Sequence, residues 1–409
     1  MKENKKIEAY MIKNFLILSF LALALVPANA QTAIEGGTVT QHVAKFNVPV
    51  YRVHISSDDA ELADMAKRAF NLHGSYKQVP AANAQFVFNF SPQGANAVKL
   101  TIRGGSVYEQ VCAGSTKTQA LLKACDAAVA RTLRTSGFFA GTIAFSIVRG
   151  EGKSEICTSD IIFKNVRKLT NDNSDSLMPH FSPDGKKIMY TGYYKSGFMD
   201  LFEIDLSSNT RRTFAAYKGS NTGGSFSPDG SKVAMILTSS GNAEVWTASS
   251  NGTNFRRMTK TSATESSASF SPDGSKLIFA SDSRGGPQIY TMPSAGGKMQ
   301  IVPTRISRYC SEPIWNKANP NLIAFTAAVG KGFQVAVYDF SERNSRWITS
   351  GASSAGAVWL NDGRHLICTK TEGKKTRLYV VDSETNSQKP LHTSAFGSTK
   401  EADFVYNPR

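Results

Sequence analysis

The pentapeptide FSPDG occurs at Phe181–Gly185, Phe226–Gly230 and Phe270–Gly274, and the interval between its copies decides how the chain is read. Following the leading aromatic onward gives Trp315, Trp359 and Phe404, at successive steps of 45, 44, 45, 44 and 45 residues. The letters decay to WNKANP, WLNDG and FVYNP, but the interval persists. An apolar run follows each turn at Ile188, Val233, Leu277, Leu322 and Leu366, and stepping back one period from Ile188 lands on Ile143 in TIAFS. A third run begins at Asp200, Glu244, Gln288, Gln334 and Arg377, and a short fourth lies near Arg211, Arg256 and Arg346. Four β-rich runs per period, separated by Gly, Asn, Asp and Ser, have the size of one β-propeller blade.

The strand count settles how the ring closes. Residues 142–170 supply only the second, third and fourth strands of a blade, because SGFFAG before them holds no inner strand, and the leftover inner strand is ADFVY at 402–406. The expected fold is therefore a six-bladed propeller closed by the C-terminal strand, which removes the exposed edge of an open array. Within each pentapeptide, Pro183 presets the first central turn position, Asp184 takes the second, and Gly185 accepts the positive φ that ends the turn. Phe181 belongs on the inner strand, packed between blades. The three FSPDG aspartates then lie at separate, symmetry-related corners and cannot converge on one metal.

Ahead of the propeller, VPVYRVHIS (48–56) alternates like a strand and residues 58–74 read as a capped helix. Strands around 84–90, 97–104 and 106–113, and a helix from about Lys117 to Thr135, complete a small α/β domain. The expected division is 1–30 signal peptide, 31–136 α/β domain and 137–409 propeller. Lys2, Lys5, Lys6 and Lys13 lead into the twelve-residue apolar run Phe15–Val26 and then PANA. That run is short of the roughly 20 residues a spanning helix needs and describes a cleaved secretory signal, with Gln31 the expected mature start and Met1 or Met11 the start codon. The whole chain carries 47 basic and 32 acidic residues; without the leader, 43 face 30, a surplus that favours an acidic partner. The basic residues are scattered, without the block a nucleic-acid face would show. Five cysteines form no CxxC, and all are expected to be buried small hydrophobes.

No chemistry-bearing motif stands out. GASSAG (351–356) has the wrong spacing for a nucleophile elbow. The six histidines form no HExxH pair, and NDNSDS (171–176) lacks the Gly and Glu of a calcium loop. The turns lack the tail of a sialidase-type Asp box and the Gly-His and Trp-Asp pairs of WD40 blades. No catalytic, cofactor or metal residue is expected. The alternative is a glycan- or peptide-binding propeller, or a hydrolase using carboxylates in the central channel.

The order of these features, with the helix-to-blade junction LLKACDAAVARTLRTSGFFAGTIAFS (121–146) and the FSPDG repeats, resembles the TolB family, the periplasmic component of the Tol-Pal system. The resemblance covers nearly the whole mature chain. It implies a non-enzymatic periplasmic adaptor, expected to be monomeric, whose propeller face docks the peptidoglycan-associated lipoprotein Pal and whose N-terminal tail signals to TolA, serving envelope integrity and division. Docking would fall on the loops joining each outer strand to the next inner strand, around Asp175, Asn221, Glu265, Tyr309, Ser354 and Lys400. Two departures stand out. The tail at 31–46 is Gly/Thr-rich, unlike the family's opening strand, and YKGSNTGG (217–224) places Ser220 near the position where the family often carries a histidine.

Overall fold

The computed structural model describes residues 48–407; the expected signal peptide and the 31–46 tail lie outside them. Six four-stranded antiparallel sheets follow a five-stranded sheet flanked by two helices. The blades span 176–215, 221–257, 265–301, 310–347 and 354–390, here blades 2 to 6. Blade 1 is composite: inner strand Thr399–Val405, then Thr142–Gly150, Lys153–Asp160 and Arg167–Lys168. Thr399 pairs with Ile147 and Val405 with Thr142, so the end of the chain completes its first blade.

The N-terminal sheet shares one continuous core with blades 1 and 6. Its strands are Tyr51–Ser56, Tyr76–Gln78, Phe86–Pro92, Ala97–Arg103 and Tyr108–Ala113, with the first in the interior and paired in parallel on both sides. Tyr76–Gln78 was not legible in the sequence, because three residues are too few to show alternation. The first helix, Ala60–Asn71, starts at Asp59, whose carboxylate accepts from the N–H groups of Glu61 and Leu62. The second, Lys117–Leu133, is capped by Thr116 and ends in Arg134 at φ 58°. All five cysteines are buried and unbridged, Cys125 on the covered face of that helix.

Blades adhere through the aromatic that leads each turn. Phe181 is buried with Ala144 and Ile156 of blade 1 and with Ile188, Tyr190 and Phe202 of its own blade, and burying such a side chain is worth roughly 1.5–3 kcal/mol. In the turn, Asp184 accepts hydrogen bonds from the Ser182 hydroxyl (2.6 Å) and the Lys186 N–H (3.1 Å); Asp229 and Asp273 repeat this pattern. The hydroxyls of Ser227 and Ser271 hold those two carboxyls down at about 2. Gly185, Gly230 and Gly274 take φ 68°, 72° and 72°, the region where a side chain is strained. Successive turns form a ring at one end of the propeller, Gly230 lying against Pro183 and Gly274 against Pro228.

Candidate functional site

Because each strand reverses direction, the five turns that join inner to second strands and the third-to-fourth turns share one end, here the lower. The loops entering each inner strand share the upper end with the second-to-third turns. The N-terminal domain occupies the lower end beside blades 1 and 6. Lys164 pairs with Glu61 at 2.8 Å, and Arg68 donates to the Ile162 carbonyl. The junction SGFFAG is the plug: Phe138 and Phe139 are fully buried against Phe70 and His73. Asp126 accepts from the N–H groups of Phe139 (2.7 Å) and Ala140 (2.9 Å) and from the Tyr406 hydroxyl (2.9 Å). Burial pushes its carboxyl up to about 6, even though these donors pull the other way. Gly137 sits so close that a Cβ would lie 2.1 Å from Asp126 Oδ1, and Asn361 donates to its carbonyl at 2.7 Å.

The same interface brings together two histidines that the sequence leaves unconnected, His73 and His365, with ring centroids 4.4 Å apart. His365 Nδ1 lies 2.6 Å from Asp362 Oδ2, and its Nε2 lies 3.5 Å from Asp382 Oδ2. Arg364 donates to both Asp382 oxygens, at 2.9 and 2.6 Å. His73, Asp362 and His365 have the residue types of a cation site. The 2.6 Å separation is a hydrogen bond, however, since donors around a tetrahedral zinc at ~2.0–2.1 Å would stand about 3.3 Å apart. A proton fits that gap. Burial lowers the affinity of His365 for a proton, but Asp362 and Asp382 outweigh it and raise its pKa to about 9; burial, with charged His365 beside it, keeps His73 well below the ordinary range. A raised histidine contributes stability that is fully present below its unfolded value near 6.5 and lost as pH rises through about 9. We expect wild type to lose on the order of 3 kcal/mol more than His365→Gln between pH 6 and pH 10, measured by urea unfolding.

The upper end is built differently. Each inner strand carries one residue in the left-handed region at the same place: Met178, Gly223, Ser267, Glu312, Gly356 and Glu401, with φ from 51° to 68°. A β-bulge accompanies each. Two of these residues tie neighbouring blades, because Glu401 accepts from the Met178 N–H at 2.7 Å and Glu312 from the Gly356 N–H at 2.9 Å. No expectation from the sequence reached this device, since the six residues share a position but no chemistry.

The residues expected to contact a partner stand at or beside the starts of the inner strands. Asn221, Glu265 and Ser354 are buried, with 0, 1 and 0% exposure, so they present no side chain to solvent and support the loops above them. Asn221 gathers the carbonyls of Met199 and Tyr217. Asp175, Tyr309 and Lys400 are partly exposed; Asp175 accepts from the Ser154 hydroxyl at 2.9 Å, and Lys400 lies 3.2 Å from Glu401. Ser220 is buried. What the upper end offers to solvent is Phe198 in the second-to-third turn of blade 2, 55% exposed, and Tyr217 in the next loop, 44% exposed. Lys195, Lys218, Lys260, Arg284, Arg305 and Arg308 also stand exposed in the upper loops from blade 2 round to blade 5. Three upper-loop acids are engaged: Asp172 by Arg211 at 2.6 Å, Asp175 by Ser154, and Asp282 by the Thr264 N–H at 2.8 Å.

A model of the TolB beta propeller domain matches residues 131–404. The chain belongs to the TolB β-propeller family. Curated relatives named Tol-Pal system protein TolB include that of Anaeromyxobacter sp. strain K, 32% identical over 132 residues that cover 32% of this chain and 30% of the relative. Another, from Desulfosudis oleivorans, is 34% identical over 127 residues, covering 31% and 28%. The chain thus spans about a third of the length of these relatives. The crystal structure of TolB from Acinetobacter baumannii superposes with a TM-score of 0.76 at 20% identity, over 89% of this chain and 98% of that one. This likeness extends the shared fold from the propeller into the N-terminal domain. Among the described residues of this TolB-family chain, no helix is long and apolar enough to cross a membrane.

Proposed function

We propose that this TolB-family chain is a non-enzymatic periplasmic adaptor that docks a Pal-like peptidoglycan-associated lipoprotein on the upper end of its propeller and serves cell-envelope integrity and division. In this reading the leader is cleaved after Ala30, residues 31–136 and 137–409 are the two domains, and the mature protein is a monomer. The 31–46 tail engages a TolA-like inner-membrane protein. One observation carries the docking: the N-terminal domain covers the lower end at blades 1 and 6, and the upper end presents exposed Phe198 and Tyr217 amid basic loops. Aromatic anchors supply most of the energy of such interfaces, and a basic rim speeds encounter with an acidic partner. The loops around Asp175, Asn221, Glu265, Tyr309, Ser354 and Lys400 would form the docking surface, with the buried members holding the backbone in place. An adaptor role also suits two carboxyls that burial pushes up: Asp126 and Glu265 are buried away from solvent, where no substrate can reach them.

Calorimetric titration of the mature chain with the soluble domain of the Pal-type lipoprotein from the same cells tests the reading. Saturable binding is expected, weakened about tenfold or more by Phe198→Ala or Tyr217→Ala and reduced by salt. Absence of binding, or binding indifferent to both substitutions, would refute it.

A further inference from the structure

Among the six junctions between blades, the one between blades 3 and 4 holds an arrangement the others lack. In register, residues 155, 200, 244, 288, 334 and 377 occupy one place on the third strands, and residues 176, 221, 265, 310, 354 and 399 one place on the inner strands that follow. At five junctions the inner-strand place holds Ser176, Asn221, Cys310, Ser354 or Thr399. Where the third strand carries an acid, a donor can meet it, as Asn221 Nδ2 meets Asp200 Oδ1 at 3.3 Å. At the sixth, Glu244 faces Glu265.

Both are buried, at 0 and 1% exposure. Arg257 donates to Glu244 Oε1 at 2.5 Å and the Thr261 N–H to the same oxygen at 3.0 Å. Glu265 accepts from the hydroxyls of Thr261 (3.0 Å), Ser281 (2.8 Å) and Thr259 (3.2 Å). Glu244 Oε2 is buried with no hydrogen-bond partner, and the two carboxyls stand close enough to hydrogen-bond each other, which they can do only if a proton lies between them. Arg257 offsets one of the two negative charges. One further positive charge completes the site; a divalent metal would exceed it. Beyond Arg257, the nearby charged groups are Lys260, exposed in the loop, Asp282, taken by the Thr264 N–H, and Glu312 on the next inner strand, taken by Thr326 and Gly356.

We propose that Glu244 and Glu265 hold a single shared proton, and that its release unlatches the 258–264 loop at the upper end of the propeller. The pair takes three donors from the loop, the hydroxyls of Thr259 and Thr261 and the Thr261 N–H; the loop's other side is tied by Asn242, which donates to the Thr261 and Ala263 carbonyls, and by Asp282, which accepts from the Thr264 N–H. Burial raises the Glu265 carboxyl to about 7, and the neighbouring Glu244 reinforces the shift. A raised carboxyl stabilises the fold below its unfolded value near 4.5, and that contribution is lost as pH rises through about 7. Two ionised carboxylates in a buried site then repel. The latch would make the proposed docking surface respond to pH, but its own behaviour does not depend on the docking reading.

Amide hydrogen exchange across 258–265 in the full mature chain, corrected for intrinsic rates, tests the proposal between pH 5 and 9. In wild type, protection should fall by up to about tenfold per unit of pH between about 5 and 7, where opening releases one proton, and level off above 7, where the closed pair has already lost it. Glu265→Gln supplies a fixed donor to Glu244 Oε2 and should flatten the slope; Glu244→Gln, which removes the competing charge, should do the same if the first variant folds poorly. Equal slopes in wild type and in the folded variant would overturn the shared proton. So would restoration of wild-type protection at pH 9 by calcium or magnesium, since the site would then take a metal. Docking is read separately by titration with the lipoprotein domain, so loss of one result leaves the other standing.

Discussion

Truncation after Ser398 is expected to abolish the cooperative fold rather than trim it. The eleven residues removed include the inner strand of blade 1, and with it the pairing from Thr399–Ile147 to Val405–Thr142. They also carry the ties that join the ring: Glu401 to the Met178 N–H, Asp403 to the Phe181 N–H at 2.7 Å, and Asn407 to the Asp184 carbonyl at 2.6 Å. Phe404 is buried at the seam, so close to Gly141 that a Cβ there would lie 2.2 Å from its ring. Tyr406 anchors the N-terminal domain through Asp126. Losing the strand bares the inner edge of blade 1 and the flank of blade 2, which invites association between chains. A domain stable by only about 5–15 kcal/mol does not survive the combined loss. Aggregation, or a broad transition in calorimetry, is the expected outcome; a monomer unfolding sharply near the wild-type temperature would contradict closure by this strand.

The second large effect is expected from Asp382→Asn. Its carboxylate is 1% exposed and accepts from Arg364 and from the N–H groups of Glu384 (3.0 Å) and Thr385 (3.3 Å), with His365 Nε2 at 3.5 Å. Burial opposes ionisation, yet His365 and Arg364 hold the carboxyl far below the ordinary range. The amide preserves the shape but leaves both cations with too little negative charge, and breaking a buried pair in this way costs about 3–5 kcal/mol. Because the Gly74 backbone packs directly against Asp382, the loss should be felt between the domains. Urea unfolding should show a lower midpoint, with limited proteolysis faster at 134–140. A change below about 1 kcal/mol would mean that Glu384, 3.1 Å from Arg364, takes over.

These two sites differ in how visible they are in the sequence. Ring closure is legible because a period of 44–45 residues survives the loss of its letters: backbone geometry demands the turn, and WNKANP serves where FSPDG once stood. The aspartates of that motif, which look like a repeated acidic site, serve as turn clasps held by Ser182, Ser227 and Ser271. The period also locates where each inner strand begins. It does not say how deep that residue lies, which is why Asn221, Glu265 and Ser354 turn out to be buried supports. Phe198 and Tyr217 sit in loops that carry no period and no pattern. His73 and His365 are brought together only by the packing of one domain on another, a contact that no local spacing encodes, and the Glu244–Glu265 pair becomes conspicuous only when the blades are laid in register.

The upper end of the propeller is the proposed docking face. Photo-activated cross-linking in intact cells tests it most directly, with the reactive side chain placed at Phe198 or Tyr217 on the upper end and, in a parallel strain, at Lys186 in the lower ring of turns. A Pal-type lipoprotein adduct is expected from the two upper positions and none from Lys186. An adduct from Lys186 alone, or no lipoprotein adduct from either upper position, would contradict it.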